Sequence, residues 1–145
     1  MAIIGGRNSQ QKITIQSRLE EIELVDKEIE DWLEQLGIDT LMADRVGLAV
    51  HEAVVNAVKH GNNLQVSKKV EVTFGLVGRE MVFEVRDEGS GFDENKLPDP
   101  MALENIWKES GRGVFFMKKF MDTVDFKKDM DGFRVILRKK LSPLP

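Results

Sequence analysis

Cysteine is absent from this 145-residue chain, which excludes disulfides, zinc–thiolate sites and thiol catalysis. The absence fits a reducing compartment. No apolar run approaches the length of a membrane span, and residues 1–7 hold no apolar core of signal-peptide length. The expectation is a cytoplasmic protein with no membrane partner. A basic field is also missing: 21 Lys and Arg against 25 Asp and Glu give a formal net charge of -4. That balance argues against direct nucleic-acid binding, which needs clustered cations to neutralise phosphates. The pairs Lys68-Lys69, Lys118-Lys119 and Lys127-Lys128 are scattered, as is the triplet Arg138-Lys139-Lys140, and they read as solvated surface. Neither a Gly-Lys-Ser/Thr phosphate loop nor a dinucleotide fingerprint occurs, so the P-loop and Rossmann readings fail.

What is present is an ordinary globular composition, 41% hydrophobic and 32% charged. The length suits one domain over residues 1–145, large enough to bury a core without covalent staples. Residues 12–16 alternate like an edge strand. Ile22, Val25, Ile29, Trp32, Leu33 and Leu36 then recur at helical steps, and Gly37 stops them. Asp39 or Thr40 can cap a second helix running to about residue 60. Val70, Val72, Phe74 and Leu76 alternate, Gly78-Arg79 turns the chain, and Met81, Phe83 and Val85 alternate again. Residues 87–100 read as a long loop, 101–107 as a short helix, 114–121 as another, and 123–138 as a closing hairpin. Hairpin-linked strands among helices predict a two-layer α/β (α+β) sandwich, its mixed or antiparallel sheet backed by helices on one face.

Three polar features carry candidate chemistry. On the second helix Arg45, Glu52, Asn56, Lys59 and Asn63 fall within one narrow arc. The arc is either a thin wet face or a cleft in which Glu52 deprotonates a hydroxyl and Asn56, one turn on, ligates magnesium. His51 and His60 stand half a rotation apart and cannot share a metal. His51 reads as structural; His60 either lies near a ligand or serves the helix end. Asp87-Glu88-Gly89-Ser90-Gly91 follows a strand. It is either a turn held by Asp87, or a site where that carboxylate accepts from the amine of adenine while Gly89 and Gly91 leave room for the base. Gly111-Arg112-Gly113 opens a helix, where free amides and Arg112 can hold phosphate.

In this order the three features resemble the boxes of the GHKL ATPase superfamily: residues 51–60 its N box, 87–92 its G1 box, and 111–122, with Val114, its G2 box. The short chain is similar to the anti-sigma-factor serine kinases of bacterial partner-switching systems. The resemblance implies a Bergerat fold binding ATP and Mg2+, with Glu52 as catalytic base, Asn56 as metal ligand and Asp87 as adenine reader. It also implies nucleotide contacts from Lys59, His60, Gly89, Gly91, Gly111, Arg112, Gly113 and Val114. The implied activity is phosphorylation of a serine on a small antagonist protein of the STAS type, together with sequestration of a sigma factor by a homodimer. The alternative is a regulatory module whose nucleotide orders a partner surface with little turnover. Phe133 follows Gly132 where the family often carries threonine, and Glu109 stands where some kinases carry a basic residue.

Overall fold

The computed structural model describes residues 10–89 and 109–141. Among these residues five strands form one sheet in the spatial order β1-β2-β3-β5-β4. They are β1 (Gln11–Gln16), β2 (Lys69–Val77), β3 (Glu80–Asp87), β4 (Thr123–Asp129) and β5 (Gly132–Lys140). All four pairings are antiparallel, so the sheet is of the antiparallel kind throughout. Among the described residues three α-helices accompany it: α1 (Ile22–Leu36), α2 (Thr40–Asn56) and α3 (Glu109–Phe120). The expected short helix over residues 101–107, together with Ser90 and Gly91, lies outside the described residues.

Each element follows from its pattern. The α1 stripe buries Ile22, Val25, Ile29, Trp32 and Leu33, and Gly37 closes the helix in the left-handed region at φ 68°. Asp39 caps α2, its carboxylate accepting from the Met42 amide at 3.2 Å. In β3 the buried positions are Met81, Phe83, Val85 and Asp87. The period of two thus turns Asp87 to the same face as three core residues. Trp32 meets Phe74 and Phe83 edge-on at 5.2 and 5.7 Å, pinning α1 to the centre of the sheet. The opposite sheet face is polar, with Arg134 beside Glu84 at 3.6 Å and Arg138 on Asp125 at 2.9 Å.

Two boundaries differ from expectation, and both matter for the site. The α-helical part of α2 ends at Asn56, and Ala57–Gly61 form a π-helical turn. There the Asn62 amide donates to Ala57 O at 2.8 Å, and the Leu64 amide to Val58 O at 2.9 Å. The wider turn and the positive φ of Asn63 and Leu64 take Asn63 out of the arc containing Glu52 and Asn56, leaving it exposed. Helix α3 begins at Glu109, so Gly111 and Gly113 fall inside its first turns instead of ahead of it. Low glycine propensity gives way here to packing of α3 on α2. Phosphate binding by free amides at a helix start applies to fewer of these residues than the sequence suggested.

Candidate functional site

Asp87 is only 4% exposed. Its Oδ1 accepts from the Gly89 amide at 2.8 Å, so the turn reading holds. The same carboxylate also lines a cavity of about 80 Å³ with Asn56, His60, Ala53, Ala57, Phe133 and Val135. Turn and cavity are therefore not alternatives: one oxygen shapes the loop while the group faces the cavity. Burial pushes the Asp87 carboxyl above its ordinary range, partly offset by the Gly89 amide and by Lys68.

The space for Asp87 is made by glycines. A methyl group on Gly61 would overlap the Asp87 carboxylate, and one on Gly132 would overlap the Asp87 carbonyl oxygen. The π-helical turn brings Gly61 to the carboxylate, and β5 pairs Phe133 with Asp87 in register. His60, exposed at the rim, and Gly61 also border a polar trough of about 460 Å³ whose walls include Lys68, Glu88, Lys128 and Asp129.

Sequence reasoning missed Asn62, two residues beyond the expected end of the second helix. The residue is fully buried. Its Nδ2 donates to Ser17 Oγ at 2.9 Å and to Lys69 O at 3.0 Å, while its Oδ1 accepts from the Glu88 amide at 2.8 Å. One side chain thus ties the end of α2 to β1, β2 and the residue after Asp87. No spacing rule separates such an asparagine from one in a loop.

On the other side of Asn56 stands Glu52. A methyl group on Gly113 would lie 3.0 Å from Glu52 Oε1 and 3.4 Å from Asn56 Nδ2. Glu52, Asn56 and Gly113 therefore converge where α3 crosses α2, and Asn56, 8% exposed, also borders the Asp87 cavity. Arg45 belongs to the same stripe but stacks on Phe120 at 5.6 Å. Lys59 is half-buried and Arg112 exposed, whereas the Val114 side chain sits in the core at 3% exposure, leaving only its backbone to meet a ligand.

The donor set can be tested against a nucleotide and a metal. A carboxylate at the end of a cavity walled by alanine, valine and phenylalanine suits a flat base with an exocyclic amine. Among the described residues no three His, Asp or Glu side chains converge. A single asparagine oxygen suits magnesium, which completes its shell with water and phosphate oxygens.

A family model described as a histidine kinase-like ATPase domain matches residues 15–139. The chain belongs to that family. An anti-sigma F factor of Clostridium acetobutylicum is 33% identical over 102 residues, covering 68% of this chain and 71% of the relative. A serine-protein kinase RsbW of Oceanobacillus iheyensis is 25% identical over 114 residues, covering 74% and 72%. A crystal structure of the RsbU and RsbW domains of a Mycobacterium tuberculosis protein shares the fold at a TM-score of 0.68 and 18% identity, covering 92% of this chain and 32% of that one. Within this histidine kinase-like ATPase domain, Glu52, Asp87 and Gly113 gather around Asn56. Phe133 forms one wall of the Asp87 cavity and stacks on Phe126 at 6.2 Å. No described helix is long and apolar enough to cross a membrane.

Proposed function

We propose that this chain is a protein-serine kinase and anti-sigma factor that uses Mg-ATP to phosphorylate a serine on a small STAS-type antagonist. The observation that carries the reading is the position of Asn56, which borders the Asp87 cavity on one side and Glu52 with Gly113 on the other. Asp87 reads adenine: its carboxylate accepts from the exocyclic amine and would repel the carbonyl oxygen that guanine presents there. Asn56 holds the magnesium ion, which when bound neutralises phosphate charge. Glu52 accepts the proton of the attacking serine hydroxyl as the new oxygen–phosphorus bond forms and ADP departs. The names of the relatives support the partner assignment. In this reading the protein works in the cytoplasm as a homodimer.

Labelled Mg-ATP, the purified chain and a candidate antagonist bearing an exposed serine test the proposal. Label on the antagonist that disappears in Glu52→Gln supports the kinase. Tight ATP binding without transfer to any antagonist supports the alternative, a regulatory module with little turnover, for which Phe133 in the cavity wall is the motivating departure.

A further inference from the structure

We propose that the groove between α1 and α2 is a docking site for an amphipathic helix of a partner protein, its apolar stripe flanked by lysines or arginines. The groove holds about 310 Å³ and lies away from the Asp87 cavity, sharing no lining residue with it. Its α1 bank carries Asp26, Ile29, Glu30 and Leu33, and its α2 bank Asp44, Gly47, Leu48 and His51. These steps of three and four residues run for about two helical turns, roughly 10 Å, on each bank. Two neighbouring helices with an open seam form the kind of groove that accepts a third.

Gly47 is the telling residue. It stands in the middle of α2, where glycine is less favourable than alanine. Among the described residues nothing lies within 4 Å of the methyl group it lacks, and its φ is not in the left-handed region. Neither internal packing nor backbone geometry accounts for it. What it does is keep the groove floor bare, so that another backbone can approach α2 closely. The identity of that partner follows from charge. Glu30 on one bank and Asp44 on the other are exposed carboxylates, while Asp26 is already bonded across the groove to His51 at 3.0 Å. Leu48, 37% exposed, and the partly exposed Ala43 offer apolar contact to such a stripe, and carboxylates on both banks suit cations flanking it. A second copy would bring the same acidic banks, which repel one another.

The test is a titration of the isotope-labelled full chain with an 18-residue leucine/lysine helix, and separately with its leucine/glutamate counterpart, read by amide chemical shifts. Saturable shifts confined to α1 and α2 with the lysine helix only, weakened about tenfold or more in Gly47→Leu, support the proposal. Gly47→Leu should fold, since leucine is the better helix former, and an unchanged or higher melting temperature confirms it. The double reversal Glu30→Lys with Asp44→Lys should transfer preference to the glutamate helix. Equal binding of both peptides, shifts spread over other faces, or undiminished binding to Gly47→Leu would overturn it. So would a dimer that Gly47→Leu dissociates, which would assign the groove to a second copy. None of these readouts depends on nucleotide, so the docking site and the ATP reading can fail separately.

Discussion

Replacing Gly113 with alanine puts a methyl group 3.0 Å from Glu52 Oε1 and 3.4 Å from Asn56 Nδ2. The second distance is ordinary contact, but the first forces the Glu52 carboxylate to give way. Because the obstructing atom ends a flexible side chain, the backbone need not move and the fold survives. Alanine within α3 favours the helix by about 1 kcal/mol over glycine, which offsets the crowding, so the melting temperature should stay level or rise. The carboxylate is what shifts, by a few tenths of an ångström, and a misplacement of about 1 Å at a reacting group costs on the order of a hundredfold in rate. Single-turnover phosphotransfer should therefore fall about 3- to 10-fold, while Mg-ATP affinity, read by calorimetry, changes far less. A folded Gly113→Ala protein that transfers phosphate at the wild-type rate would refute the placement of Glu52 at the chemistry.

Further outcomes follow from the buried polar groups. Asn62→Ala removes the bonds to Ser17 Oγ, Lys69 O and the Glu88 amide, and should cost about 2–4 kcal/mol in urea unfolding; a loss below about 0.5 kcal/mol would contradict the clamp. Gly61→Ala should abolish nucleotide binding more completely than it destabilises the fold, because its methyl group takes the place of the Asp87 carboxylate. The folded pKa of Asp87 is raised above its ordinary 3.8 by burial, so its contribution favours the fold at low pH and is lost as pH rises past that value. Asp87→Asn should therefore raise the melting temperature of the nucleotide-free protein at pH 7, with the difference from wild type shrinking towards pH 3. His51 titrates above its ordinary 6.5, chiefly through its bond to Asp26 at 3.0 Å. Its stabilisation is full below that value and fades as pH rises through the raised folded pKa, a dependence that His51→Gln should remove.

The sheet and the first two helices were legible because their apolar positions keep strict periods, as in Met81, Phe83 and Val85 or Ile22, Val25 and Ile29. The same period in β3 extends to Asp87 and fixes its inward direction, although the sequence reading had not used it that way. What spacing could not show is long-range closeness. The contact of Gly113 with Glu52, the nesting of Gly61 and Gly132 on Asp87, and the bonds of Asn62 to Ser17 and Glu88 all join segments far apart in the chain. The π-helical turn escaped notice because its residues fit an α-helical pattern equally well, and only packing against the end of β3 distinguishes the two. Gly-Arg-Gly misled in the other direction: glycine suggested a boundary, whereas α3 carries it inside to fit against α2.

Calorimetric titration of Mg-ATP and Mg-GTP into wild type and Asp87→Asn tests the central claim most directly. A buried carboxylate that reads the base predicts ATP binding at wild type with GTP about 10- to 100-fold weaker, and a loss of ATP affinity in the variant of similar size as one charge-assisted hydrogen bond goes. Equal affinity for the two nucleotides in wild type, or an Asp87→Asn protein that binds ATP as tightly as wild type, would contradict it.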